Sequence, residues 1–250
     1  MKYKRAIVRE PSESFPSCVS DHPNRSQISL ARAQAQHENY VTVLEEFGLE
    51  VIKLGPDPRF PDGCFVEDTA VVHNNKALIT RLGPQTRRGE ENAIEQILSE
   101  YFKLSRVTEP GILEGGDVIH LPSRLICGLT SRTNSEGVKQ LGKLTNTTVE
   151  TVENPDILHL KSFATVVGDL VVTIDQYKDE HAFKGLEIAT LPWKERYGTN
   201  TLSLGDLVLV SDGFPSVHKL LSERGYVVVP LVMSEFEKCQ GALTCLSILF

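Results

Sequence analysis

The sequence predicts an α/β fold in which one hairpin–helix–strand unit is repeated around a closed ring. Four segments, at 69–80, 117–128, 164–174 and 201–210, run apolar, turn on a short polar pair and run apolar again, as β-hairpins do. The turns recur at intervals of roughly 35 to 50 residues, the range of repeat architectures. Helix-like stretches and then strands follow the hairpins. Two terminal strands, KYKRAIVR and TCLSILF, remain without a hairpin of their own; pairing them makes a fifth unit and closes the ring.

In chain order, the first strand is followed by residues 10–26, EPSESFPSCVSDHPNRS, a run without periodicity. A loop of that length in a compact chain is a lid or is disordered. An amphipathic helix over 28–48 ends at Gly48. After the first hairpin a helix is expected over 86–102, with Ala93, Ile94, Ile97 and Leu98 on one face, and after the second another over 133–144. Gly168-Asp169 and Gly205-Asp206 supply the third and fourth turns. A last helix, 214–225, stops at Gly225 and precedes a strand over 226–233. No linker or shift of composition divides the chain, so residues 1–250 read as a single catalytic domain.

The 250 residues are 40% hydrophobic and 24% charged, ordinary for a globular protein with a sizeable core. A net charge of −7 argues against nucleic acid, because phosphate binding needs a basic face; a cationic ligand suits it better. The basic N-terminus lacks a following apolar stretch, and no apolar run approaches the length of a membrane span. A cytoplasmic, membrane-free protein is expected. Five cysteines, with no C-x-x-C pair, read as reduced thiols of which one is chemically used.

Charge selects among them. A thiol is ionised more easily near cations and less easily near anions or in apolar burial. Cys64 sits among Asp62, Glu67 and Asp68, Cys127 lies inside a hairpin strand, and Cys18 has no activator in its loop. Cys245, in an apolar run near the chain end, remains as the nucleophile. The carboxylates of PDGCFVED precede a buried strand, where they need a cationic partner, which favours a ligand role. GILEGGD, with Glu114 and Asp117, reads by itself as a plain turn with a capping acid. His159 lies between apolar residues at the end of a strand-like run; such a histidine is more often core than catalyst, but a cysteine nucleophile needs a base. His37 and His218 read as helix-surface residues. Arg81 and Arg132 end the first and second hairpins at corresponding places, and guanidinium forks suit a substrate carboxylate. No zinc spacing, phosphate loop or dinucleotide glycine pattern occurs.

Taken together, FPDGCFVED, ALITRLG, QTRRGE, LEGGDV, GLTSRTN, LHLKS and SEFEKCQGALTCLS resemble, in order and over almost the whole chain, the dimethylarginine dimethylaminohydrolases, a family of guanidino-group-modifying enzymes. Only residues 175–200 match poorly. The resemblance implies the pentein fold, a five-bladed α/β propeller of repeated ββαβ units with pseudo-fivefold symmetry. It implies Cys245 as nucleophile, His159 as general acid and base, and Glu114 as the group that orients His159. It also implies Asp62, Glu67 and Asp68 around the guanidinium, and Arg81 and Arg132 on the α-carboxylate. The main chain near Cys239 would receive the α-amino group, and Val19 would be a lid residue.

The expected partner is a small-molecule substrate, a methylated arginine, with no cofactor and no metal; a homodimer is compatible with the sequence. The expected reaction is attack of Cys245 on the guanidinium carbon, loss of an alkylamine and hydrolysis to citrulline. Two alternatives stay open. An arginine deiminase would release ammonia, and a non-catalytic binding protein of the same fold would lack the Cys245, His159 and Glu114 set.

Overall fold

Residues 3–250 are described by the computed structural model, so Met1 and Lys2, at the head of the expected first strand, lie outside it. Strand β1 (Arg5–Arg9) leads through two 3-10 turns, Phe15–Ser17 and Arg25–Gln27, to helix α1 (Leu30–Glu46) and strand β2 (Glu50–Leu54). Ser29 caps α1 by accepting the Arg32 N–H at 3.4 Å, and Ala33, His37, Tyr40, Val41 and Leu44 form its buried face. His37 is therefore not on the surface, as its position in the sequence suggested, but packed inward.

The second unit is β3 (Ala70–His73), β4 (Lys76–Ile79), α2 (Glu91–Ser99) and β5 (Leu104–Arg106). Its hairpin turns on Asn74 and Asn75, both at positive φ, the conformation a two-residue turn demands. The third is β6 (Val118–His120), β7 (Arg124–Leu129), α3 (Ser135–Thr145) and β8 (Thr148–Glu153). In the fourth, β9 (Ala164–Val167) and β10 (Leu170–Ile174) reach β11 (Glu187–Leu191) through 3-10 turns instead of an α-helix. The fifth is β12 (Leu202–Ser203), β13 (Leu207–Ser211), α4 (Pro215–Ser222) and β14 (Val227–Leu231). A short helix, α5 (Ser234–Glu237), then carries the chain back to β15 (Ile248–Leu249) beside β1.

Each unit forms a three-stranded sheet with one antiparallel and one parallel pairing. β15 and β1 pair antiparallel, Ala6 opposite Leu249 and Ile7 opposite Ile248, so the chain ends complete the first blade as expected. The result is a five-bladed α/β propeller. Because successive side chains on a strand point to opposite faces, one strand serves two interblade cores. Ala6 and Val8 pack toward the fifth blade, while Ile7 packs toward the second. Val71 and Ala70, then Ile126 and Leu125, divide in the same way.

The strands β3, β6, β9, β12 and β15 line a central cavity of about 150 Å³. Glu67, Lys161 and Thr244 also border it. Among the described residues no helix is long and apolar enough to cross a membrane.

Candidate active site

The turn immediately before each axial strand carries the site. Val66–Thr69 precedes β3, Gly115–Asp117 precedes β6, Leu160–Ser162 precedes β9, Trp193–Thr199 precedes β12 and Thr244–Leu246 precedes β15, all as 3-10 turns. These turns contact their neighbours in succession around the axis. Fivefold repetition thus gathers Glu67, Asp68, Glu114, His159, Lys161, Asn200 and Cys245 from positions far apart in sequence.

His159 Nε2 lies 2.7 Å from Glu114 Oε2 and 3.6 Å from Asp68 Oδ1. The other oxygen of Glu114 accepts the Gly83 N–H at 2.9 Å. Burial by itself would lower the His159 pKa, but the charge of Asp68, the hydrogen bond to Glu114 and the charge of Asp117 together raise it to about 9. Asp117 is held by Thr130 and Thr133 hydroxyls and accepts the Leu160 N–H at 2.8 Å, which fixes the turn that carries His159. Gly116 makes this approach possible: a Cβ there would stand 2.7 Å from His159 Nδ1.

Arg87 crosses behind the pair. It donates to Asp68 at 2.8 Å and to Glu90 at 2.8 Å, and its Nη1 lies 3.8 Å from Glu114. Burial would raise the Asp68 pKa, yet His159 and Arg87 hold it at about 2. Glu90 goes the other way, up to about 7, because burial outweighs its bonds to Arg87. Arg132 Nη1 stands 3.5 Å from Glu114.

Cys245 is half-buried on the turn Thr244–Leu246, not on a strand tip, and its N–H bonds to Ala242 O at 3.1 Å. Burial, and then the charges of Glu67 and Asp68, push its thiol up to about 12. Glu67 is committed to other partners: one oxygen pairs with Lys161 and the other accepts the Thr244 hydroxyl at 2.9 Å. Asn200 donates to Lys161 O and to Thr244 Oγ1, both at 3.0 Å, and accepts the Thr244 N–H. It thereby splints the turn of Cys245 to the turn after His159.

Asp62 is buried and accepts the Val19 N–H through both oxygens at 3.2 Å. Burial raises its pKa, opposed by the charges of Arg87 and Arg132 and by the Val19 bond. Val19 thus sits where the loop over 10–26 meets the acidic cluster. Cys18, its neighbour, is joined to Cys239 by a disulfide, which corrects the expectation that all five thiols are reduced. Cys64 and Cys127 are buried thiols.

The structure does not bring Arg81 to the cluster. It forms a bridge with Leu113 through its main chain, and its side chain goes to exposed Glu109 at 2.7 Å and to Gly111 O. Arg87, six residues on, occupies the interior instead; its place in QTRRGE was the available signal. Lys161, in LHLKS, was missed in the same way. Asp68, Glu114 and His159 are spaced closely enough to share a metal ion, but Arg87 already supplies Asp68 and Glu114 with positive charge.

The family model for eukaryotic N,N dimethylarginine dimethylhydrolase matches residues 17–180. A dimethylarginine dimethylaminohydrolase of Streptomyces coelicolor is 34% identical over 99% of this chain and 97% of its own. That of Pseudomonas aeruginosa is 29% identical over 99% and 100%. A structure of a cysteine-to-serine variant of the P. aeruginosa enzyme with citrulline superposes with a TM-score of 0.96 at 27% identity, covering 100% of both chains. Another dimethylarginine dimethylaminohydrolase structure, an adduct with S-methyl-L-thiocitrulline, covers 99% and 100% with a TM-score of 0.95 at 28% identity. The fold is that of the solved dimethylarginine dimethylaminohydrolases. The chain belongs to the dimethylarginine dimethylaminohydrolase family.

Proposed function

We propose that this protein hydrolyses Nω-methylated arginine, as asymmetric dimethylarginine or monomethylarginine, to citrulline and an alkylamine through a covalent intermediate on Cys245. The observation that carries this reading is a thiol and a histidine both pushed toward their protonated forms within one buried acidic cluster. A guanidinium entering that cluster brings positive charge to Asp62, which forms no ion pair among the described residues, and lowers the cost of the Cys245 thiolate. Asp62 and Asp68 hold an unsubstituted guanidinium nitrogen, and Glu67, braced by Lys161 and Thr244, adds negative charge from below. Arg132 receives the α-carboxylate, with Arg87 as the second guanidinium on that side in place of Arg81. Val19 and the main chain near Cys239 close over the α-amino end.

As the guanidinium binds, Cys245 releases its thiol proton to solvent and attacks the central carbon as the thiolate, and His159, protonated and oriented by Glu114, gives its proton to the departing methylated nitrogen. The neutral imidazole activates water, which adds to the thiouronium carbon; the carbon–sulfur bond breaks to give citrulline and free Cys245. The whole chain acts as one catalytic domain of a cytoplasmic enzyme.

Substrate preference tests the reading. Purified protein is given asymmetric dimethylarginine, monomethylarginine, arginine and symmetric dimethylarginine in turn, and citrulline and released amine are measured together. The first two should react, arginine more slowly and the symmetric isomer poorly, because its second methyl meets the carboxylates. Dominant turnover of arginine to ammonia would replace this reading with a deiminase, and no turnover by folded protein would favour a binding protein.

A further inference from the structure

The loop over 10–26 and the loop carrying Cys239 are joined by contacts of unequal kind. Phe15 anchors the near end, in a buried aromatic cluster with Phe236 at 5.5 Å and Phe65 at 6.1 Å between centroids. Beyond it, residues 19–27 pack little: Val19, Asp21, Pro23, Asn24, Ser26 and Gln27 are all exposed. What holds this stretch down is polar and local. Ser20 Oγ donates to Lys238 O at 2.8 Å, Asp21 N–H to Gln240 Oε1 at 3.2 Å, and Lys238 Nζ to Gln27 O at 3.1 Å. All three bonds involve Lys238 or Gln240, the two residues that flank Cys239, whose disulfide to Cys18 is the covalent member of the set. The Val19 N–H that reaches Asp62 is the next residue's contact with the acidic cluster.

We propose that the Cys18–Cys239 disulfide is a redox clasp on the lid, so that its reduction releases residues 19–27 from the Cys239 loop and loosens the substrate site beneath them. This rests on the substrate site proposed above. In the oxidised form Val19 is held against Asp62 before substrate arrives, and binding pays little ordering entropy. A small dithiol attacks the disulfide by thiolate exchange. Two electrons and two protons pass to Cys18 and Cys239, which become thiols, and the dithiol closes to its cyclic disulfide. Neither cysteine is exposed, so exchange requires the lid to lift, and a ligand held under the lid opposes it. Linkage then makes the effect reciprocal: whatever factor reduction costs in ligand affinity, the ligand returns as resistance to reduction.

The test compares oxidised protein, protein reduced with dithiothreitol, and Cys18→Ser. Hydrogen exchange without ligand should rise over residues 19–27 and 238–241 on reduction and in Cys18→Ser, with the blades unchanged. The KM for asymmetric dimethylarginine should rise at least about fivefold while kcat falls less than twofold, and Cys18→Ser should be insensitive to the dithiol; couplings of this kind are typically of order 5- to 150-fold. Citrulline should shift the dithiothreitol concentration for half-reduction upward by the same factor by which reduction weakens its binding. A lower melting temperature with unchanged exchange over 19–27 would mean that the disulfide only staples the fold, and would overturn the proposal. If no substrate reacts and citrulline binds neither form, the substrate assignment fails, and the exchange pattern still decides whether the clasp stands.

Discussion

His159 Nε2 and Glu114 Oε2 stand 2.7 Å apart in a pocket where the two residues expose only 5% and 0% of their surface. The bond ties the imidazole of one blade to the carboxylate of the blade before it; it sets the orientation of the proposed acid and, second to the charge of Asp68, raises its proton affinity. Glu114→Gln keeps the shape and removes the charge. The His159 pKa should fall, the alkaline limb of the kcat profile should move to lower pH, and kcat should drop at least about tenfold, within the range for loss of general acid–base catalysis. An NMR titration of His159 alongside the kinetics checks both parts; an unmoved pKa would contradict the assignment.

The same pair makes stability depend on pH. His159 holds its proton up to about pH 9 when folded and only to about 6.5 as a free histidine. Its folded pKa is raised, so the stabilisation is fully present below pH 6.5 and is lost as pH rises through 9. Thermal unfolding followed from pH 6 to 10 should show that decline, and Glu114→Gln should reduce it, the charges of Asp68 and Asp117 sustaining the remainder.

Cys245, with its thiol pushed up to about 12, should be a poor nucleophile in the empty site. Iodoacetamide should alkylate it slowly at neutral pH and faster as pH rises, whereas a haloacetamidine, whose cation mimics the guanidinium, should react much faster at neutral pH. Equal rates at pH 7, read by mass spectrometry of the Cys245 peptide, would count against substrate-assisted ionisation.

Two arginines distinguish interior from surface. Arg87→Ala leaves Asp68 and Glu90 buried without their cation, a change that costs about 3 to 5 kcal/mol. Arg81→Ala breaks a pair with exposed Glu109 and should cost about 1 kcal/mol or less, with little effect on KM. Denaturant unfolding of both variants and their steady-state kinetics test the contrast.

Arg132→Ala removes one charge-assisted contact from the proposed carboxylate site, worth on the order of 1.5 to 3 kcal/mol. Use of methylated arginine should weaken roughly tenfold to a hundredfold, while the poor use of agmatine, which has no carboxylate, should barely change. Equal losses on both would give Arg132 a different role, such as holding Glu114.

The ring itself was legible because hairpin turns, capped helices and unpaired terminal strands are local patterns. The fourth unit shows the limit: the stretch between β10 and β11 carries 3-10 turns where the other units carry an α-helix, and no strong periodicity marked it. Cys245, His159 and Glu114 could be named because each lies in a recognisable stretch. That Glu114 was more than a capping acid depended on a contact 45 residues away in sequence. Arg81 lies off the cluster for a geometric reason. The chain leaves β4 with Arg81 directed to Glu109, and the 3-10 turn Gln85–Arg87 swings Arg87 inward. The disulfide joins residues separated by 221 positions, and nothing in the spacing of the five cysteines indicates it.

The central claim is that the reaction passes through a covalent bond to Cys245, and rapid acid quenching during turnover of asymmetric dimethylarginine tests it most directly. Intact-mass spectra and peptide mapping should show an adduct equal to the substrate less dimethylamine, on the peptide carrying Cys245 and on no other cysteine. It should form and decay at rates consistent with turnover, and Cys245→Ser should fold normally yet produce no citrulline. Citrulline formed without any such adduct, or substantial turnover by Cys245→Ser, would contradict the account.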